Sequence, residues 1–409
     1  MQLAPVSSAA GQVRRRSVFY LSGFDPKGAA HYHALYRDEA AKQAQLSGMQ
    51  IEVGRRQRTA PGNSFWRVRA QTPEGVVQTH YEFLRWDDIV RQHWPRNQAR
   101  LLQDIVRTTG LNLRHGALWR MLKLAWPPAL ALFSPFLLLC AVLLGAPLVA
   151  SVVFFAALSW GGWLGASFLA LLPVALFVGL ALRLEKKYSM LWLMRSYAFT
   201  AQQAQGQVPQ LDARLEQHVD TLLDRIKHQS DDEVLVVGHS SGTMMAVSLL
   251  AKTLRRDALL GQAGPVVSLL TLGQCMPMLG CLPQAQAFRD DLQLVATAER
   301  IDWLDFSAPG DGCCFALVDP LAACGIHDPA RQKDRPKLLS PRFAEMFEPS
   351  DYAAIRQDKF RIHFQYLMAS LKLVSYDYFA ITAGAITLAQ RFSAHEGVRG
   401  YAGLRIFKR

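Results

Sequence analysis

Residues 124–182 form a run of 59 positions without one aspartate, glutamate, lysine or arginine. A helix rises about 1.5 Å per residue and a bilayer core takes about 20 apolar residues, so the run is too long for one crossing and sufficient for two. We read a two-helix transmembrane hairpin over residues 127–184. Its preferred turn is Ser159-Trp160-Gly161-Gly162-Trp163-Leu164-Gly165, because glycines break helices and tryptophans favour the membrane interface. That turn divides the run into a helix over about 128–158, kinked near Pro147, and a shorter one over about 165–182. Gly145-Ala146-Pro147 is the alternative break. Arg114, Arg120 and Lys123 precede the run and Arg183, Lys186 and Lys187 follow it, which predicts both flanks in the cytoplasm and an even number of spans. A buried helical pair in a soluble core is the competing reading, but such a pair normally shows a polar solvent face.

Outside this run the composition excludes a disordered chain and a disulfide scaffold: half of all residues are hydrophobic and 19% are charged. Of the 45 Lys+Arg and 33 Asp+Glu, residues 1–126 hold 19 and 9, so most of the +12 net charge precedes the apolar run. Six cysteines without small-scaffold spacing predict reduced thiols. Residues 1–10 lack the apolar core of a cleavable signal peptide, which leaves the internal run as the expected membrane address. Residues 97–126 interleave Leu101, Leu102, Ile105, Val106, Leu118, Met121 and Leu122 with Arg100, Arg107, Arg114, Arg120 and Lys123. This basic amphipathic pattern predicts a helix on the bilayer surface, or one packed on the globular part. Arg55, Arg56, Arg58, Arg67 and Arg69 lie on expected strands, so lipid headgroups or solvated strand faces are favoured over nucleic acid.

The flanking parts, residues 1–96 and 185–409, read as one α/β domain interrupted by the hairpin. Strand patterns fall at 17–22, 50–58, 65–71 and 76–83, with a helix over 31–46; Thr72-Pro73-Glu74-Gly75 suits a turn joining an antiparallel pair. After a helix over 208–229, strands at 233–237, 266–272 and 301–306 alternate with helices at 243–254 and 283–296, the pattern of a mostly parallel sheet covered on both faces. The C-terminal part is expected to be helical around 358–371 and 378–391.

Gly238-His239-Ser240-Ser241-Gly242 lies between the strand pattern at 233–237 and a helix. A serine at a sharp strand-to-helix turn, with glycines where neighbouring side chains would collide, is a candidate nucleophile; a serine that merely caps the helix is the alternative. At these residues both soluble parts resemble the α/β-hydrolase superfamily, its lipase-like members in particular. The resemblance implies an acid and then a histidine downstream of Ser240. Asp311, in Ala308-Pro309-Gly310-Asp311-Gly312 after a late strand, is the expected acid, with Asp302, Asp305 and Asp319 as competitors. His363 is the expected base, with His327 and His395 behind it. Backbone N–H groups of Ser241 and Phe24 are the expected oxyanion donors, and Asp25 beside Pro26 reads as a turn residue. Met276 and Met278, in the apolar segment 274–283, are expected to line an acyl pocket or simply to pack in the core.

Neither a phosphate loop nor a dinucleotide fingerprint is apparent, the cysteines lack paired zinc spacing, and no cofactor or metal is expected. Vicinal Cys313-Cys314 reads as buried thiols, or as a redox-sensitive pair beside the acid. The expectation is a membrane-anchored serine hydrolase acting on a lipid or other acyl ester, of unassigned oligomeric state. The alternative is a non-catalytic membrane scaffold that keeps a hydrolase-like shell and binds a lipid or partner.

Overall fold

Val18, Phe19, Tyr20 and Leu21 are all buried because the first strand is covered on both faces. Phe19 and Leu21 face one apolar cluster, and Val18 and Tyr20 face the other. The computed structural model describes residues 12–59, 62–94, 97–262, 264–329, 331 and 334–406. Residues 1–10, where no signal peptide is expected, lie outside them.

Among the described residues one mixed sheet has nine strands: β1 (Arg15–Leu21), β2 (Gln50–Val53), β3 (Gln57–Arg58), β4 (Ser64–Thr72), β5 (Gly75–Phe83), β6 (Glu233–His239), β7 (Val266–Leu272), β8 (Ile301–Phe306) and β9 (Lys337–Leu339). Their order is β2-β4-β5-β1-β6-β7-β8-β9, with β3 on β4. From β5 to β9 every neighbouring pair is parallel, whereas β2, β3 and β5 pair antiparallel with β4. The antiparallel part is therefore N-terminal, as the turn at 72–75 predicts. Arg67 and Arg69 alternate with buried Trp66, Val68 and Ala70 on β4, which makes them a solvated strand face.

β1 pairs with β6 from Arg16↔Glu233 to Leu21↔Gly238, so the segments before and after the apolar run share one sheet. A fully buried ion pair, Arg16 to Glu233 at 2.7 Å, ties the same two strands. Helices Pro209–His228, Gly242–Arg256 and Gln286–Thr297 cover one face; Ala29–Ser47 and the C-terminal segments cover the other.

The C-terminal part is less helical than expected. Only Lys359–Phe364 and a short 3-10 turn fall in 358–371, while 378–391 is broken between Tyr378–Ala383 and Leu388–Arg391. At Gly384, a β-carbon would collide with the Ala380 carbonyl, and the Arg16 guanidinium bonds the Gly384 carbonyl, so the chain turns there to meet β1.

Trp126–Tyr188 is the one helical stretch among the described residues that is long and apolar enough to cross a membrane, and 6% of its most apolar window is buried. Two helices separated by a seven-residue turn are not what forms. Helical structure runs through the stretch, with a wider turn at Ala141–Gly145 ahead of Pro147, and only Gly162 leaves helical space (φ 59, ψ −172). A β-carbon at Gly145 would stand 3.1 Å from the Phe177 ring. A straight helix would separate those two positions by about 48 Å. The stretch therefore bends back at one glycine, where φ is positive and a side chain would be strained.

Before this stretch, helix Gln98–Arg114, capped by Asn97, buries Leu101 and Ile105 and exposes Leu102, Val106 and Leu113. Ile105 packs with Met194 and Ala198 of helix Met190–Ala204 and with Phe136 and Leu139 of the apolar stretch. The basic segment is thus docked on the protein along one side and leaves a second apolar side open.

Candidate active site

Ser240 sits between β6 and helix Gly242–Arg256 with φ 57, a left-handed conformation that costs a non-glycine residue of order 1 kcal/mol or more. Its N–H donates to Leu272 O at 2.9 Å, and its carbonyl accepts from Thr243 N–H at 3.0 Å. The flanking glycines are sterically required. A β-carbon at Gly238 would stand 2.7 Å from the Gly242 carbonyl, and one at Gly242 would meet the Leu21 and Ser22 carbonyls. Gly23 belongs to the same constraint, since its β-carbon would stand 3.0 Å from Ser240 Cβ and 3.3 Å from Oγ.

Asp311 follows β8 in a turn closed by its own N–H to Ala308 O at 2.9 Å, and its side chain is fully buried. His363 Nδ1 lies 2.8 Å from Asp311 Oδ2, and Tyr366 Oη donates to the same oxygen at 3.2 Å. Cys313 N–H donates to Oδ1 at 3.0 Å. Burial works against the charge of Asp311, but the facing imidazole, its hydrogen bond and the Cys313 N–H outweigh that effect and hold the carboxyl below its ordinary value. Gly273 permits this approach at φ 55: a β-carbon there would stand 2.9 Å from the Tyr366 ring and 3.2 Å from Asp311 Oδ2.

The competing residues lie elsewhere. Asp305 is buried between Thr271 Oγ1 at 2.7 Å and Ser307 Oγ at 2.8 Å, and burial pushes its pKa up to about 7. Asp302 is partly buried on β8; Asp319 caps Pro320–Ala323 and pairs with Arg331 at 2.7 Å. His327 and His395 are exposed. None of the five lines the cavity described next.

Ser240, His363, His239, Gly23, Phe24 and Asp25 line a cavity of about 490 Å³. Its apolar walls include Trp126, Pro127, Leu130 and Ala131 from one end of the apolar stretch, Leu184 and Tyr188 from the other, and Met190, Trp192 and Leu193 beyond it. Both ends of a 63-residue helical stretch thus meet at the serine. Met276 and Met278 do not line this cavity; 0% and 6% exposed, they pack in the core. Gln274 causes the difference. Its amide donates to the Phe315 and Val318 carbonyls and its oxygen accepts from Met276 N–H, which folds that segment inward.

The Phe24 N–H, expected to face an oxyanion, donates instead to Ser241 Oγ at 2.7 Å. No hydrogen bond joins Ser240 Oγ to His363 among the described residues. Asp25 forms the expected turn, accepting from Lys27 N–H at 2.9 Å, and also accepts from Tyr32 Oη at 3.0 Å.

Three contributors escape sequence reasoning. His239, inside the motif itself, is fully buried; burial and the neighbouring His363 push its pKa down to about 3. It is therefore neutral, and its Nε2–H donates to the His363 carbonyl at 2.9 Å. Tyr366 braces both Asp311 and the Ala308 N–H. Trp192 reaches the Phe24 carbonyl at 2.7 Å. Only His239 carried a local signal, as the residue preceding the serine.

Asp311, Cys313 and His363 bring possible metal-ligand atoms within 4.8 Å of one another. The set suits a metal poorly. Nδ1 of His363 already faces Asp311, and burial followed by the Asp311 charge pushes the Cys313 thiol up, away from the thiolate a metal needs. The six cysteines are free thiols. Comparison with protein families, with curated proteins and with solved structures finds no match for this chain.

Proposed function

We propose that this chain is a membrane-anchored serine hydrolase of α/β-hydrolase type that cleaves an acyl ester, most naturally one carried by a lipid. One observation carries the reading: an imidazole held by a buried carboxylate at 2.8 Å shares a cavity with a serine at a strained strand-to-helix turn. In this scheme Asp311 keeps the His363 proton on Nδ1, leaving Nε2 to take the Ser240 proton as Oγ attacks the ester carbonyl. The tetrahedral oxyanion is met by the Ser241 N–H and, once released from Ser241 Oγ, by the Phe24 N–H. His363 then protonates the departing alcohol, and water hydrolyses the acyl-enzyme by the reverse sequence of proton transfers.

The cavity walls support a lipid substrate. Residues from both ends of the apolar stretch face the serine, so an acyl chain leaving a bilayer along the stretch would meet it. We read the stretch as two spans joined at Gly162. Because β1 and β6 are hydrogen-bonded neighbours, any crossings must return the chain to the side it left. The basic flanks then put the soluble body in the cytoplasm. Leu102, Val106 and Leu113, exposed on the basic helix, would rest on the headgroup layer.

A second reading, a non-catalytic membrane scaffold, draws on the Phe24 N–H being engaged by Ser241 Oγ and on the missing Ser240–His363 bond. Catalytic hydrogen bonds are often long before substrate binds, so this geometry does not remove the base. Hydrolysis of p-nitrophenyl esters of graded chain length by the purified protein separates the two. Turnover that disappears in Ser240→Ala supports the enzyme; no turnover by folded wild type on any chain length supports the scaffold.

A further inference from the structure

Phe24 stands beside the nucleophile, yet its own N–H and C=O both go to side chains. The N–H donates to Ser241 Oγ at 2.7 Å, and the carbonyl accepts from Trp192 Nε1 at 2.7 Å. One backbone bond closes the turn around Phe24, from Asp25 N–H to the Gly23 carbonyl at 2.7 Å, and the two side chains fix the rest of its direction, whereas a strand residue is held by a ladder. Gly23, immediately before it, adds no side chain to resist rotation.

Trp192 makes further contacts. Its ring packs on Phe360 with centroids 4.7 Å apart, and Phe360 lies three residues before His363 on helix Lys359–Phe364. It also meets Trp94 edge-on at 5.7 Å, and Trp94 stacks on Phe24 at 5.8 Å. The indole sits in the first turn of helix Met190–Ala204, four residues past the end of the apolar stretch at Tyr188: Ser189 takes φ 47, and Leu191 N–H donates to Glu185 Oε2 at 2.9 Å. One side chain therefore touches the loop at the nucleophile and the helix carrying the base, and is fastened to the end of the stretch. Packing alone would be served by phenylalanine; the half-buried indole N–H adds a directed bond.

Resting on the hydrolase reading above, we propose that Trp192 is a positioning residue, whose N–H holds the Phe24 carbonyl and so sets how the Phe24 N–H is presented to an oxyanion on the Ser240 adduct. Displacement of the membrane stretch relative to the sheet would reach the site through this contact.

The test is Trp192→Phe in the full chain, purified in detergent micelles, with p-nitrophenyl butyrate as probe. The ring contacts remain and the N–H is lost. The expected result is a kcat lower by about ten-fold with KM changed less than about two-fold, because small misplacements of catalytic donors act on the transition state rather than on binding. Rates are taken per active site, counted by fluorophosphonate titration, so partial misfolding does not mimic the effect. A wild-type kcat, or a change confined to KM, overturns the proposal. Turnover unaffected by Ser240→Ala overturns the hydrolase reading itself; Ser240-dependent turnover that is unchanged in Trp192→Phe overturns only the role of Trp192.

Discussion

Two apolar segments of similar composition end with opposite roles, one lining the cavity that holds Ser240 and one packed in the core. Segment 274–283, rich in methionine and leucine, turns into the core through the three bonds of Gln274. Segment 126–134, the foot of the apolar stretch, is anchored by Trp126 N–H to the Leu404 carbonyl and brings Trp126, Pro127, Leu130 and Ala131 to the cavity. Leu130 is 44% exposed, whereas Met276 is fully buried. Apolar composition does not distinguish a pocket wall from a core element; a single amide able to satisfy the backbone around it does. Chemistry should then reside in the polar floor, stability in the methionine segment and chain selectivity in the foot of the stretch, and mutations should separate the three.

The largest effect belongs to the floor. Asp311→Asn should lower kcat by about four orders of magnitude while the melting temperature moves little, since it removes the carboxylate that fixes the imidazole tautomer. Retained turnover would place the acid elsewhere. Met276→Ala should cost about 2–5 kcal/mol of stability in urea melts, as fully buried methionine truncations do, yet leave the ratio of long-chain to short-chain turnover unchanged. A shifted ratio would return this segment to the pocket and break the comparison. Leu130→Trp should do the reverse, changing that ratio about ten-fold in favour of short esters with little loss of stability.

The smallest effect is a pH dependence of stability. His218 and His239 are buried, and burial, with help from Arg214 in one case and His363 in the other, lowers each pKa from 6.5 to about 3. Below about pH 6.5 the unfolded chain binds a proton at each site that the folded chain refuses. Their contribution is therefore whole above that pH and is lost progressively as pH falls toward 3. His218→Leu should flatten the acid limb of a Tm-against-pH curve by up to one proton without altering turnover; an unchanged limb would show that His218 is protonated in the fold.

Much of the fold was legible because its determinants are local. The alternating strands, the turn at 72–75 and the glycines of Gly238-His239-Ser240-Ser241-Gly242 each act within a few residues. The pairing of Asp311 with His363, and the cavity His363 shares with Ser240, were legible through motif and chain order. What escaped was set across long separations. β9 has only three residues and exists by pairing with β8. The helix-breaking role of Gly384 depends on Arg16, and the fate of Met276 depends on carbonyls at Phe315 and Val318. The apolar stretch was expected as two helices parted by a seven-residue turn, whereas helical structure runs through it and only Gly162 takes a positive φ; three glycines lie within that segment, and nothing local in the sequence says which one breaks. The engagement of the Phe24 N–H by Ser241 Oγ had no sequence signal at all.

The central claim is that Ser240 is a nucleophile at the foot of a membrane stretch. Mapping the site of fluorophosphonate attachment by peptide mass spectrometry on protein in its native membrane tests it most directly. The account predicts a single adduct on the peptide containing Ser240, absent in Ser240→Ala and much slower in His363→Ala. An adduct on another residue, or labelling that persists in Ser240→Ala, would contradict it.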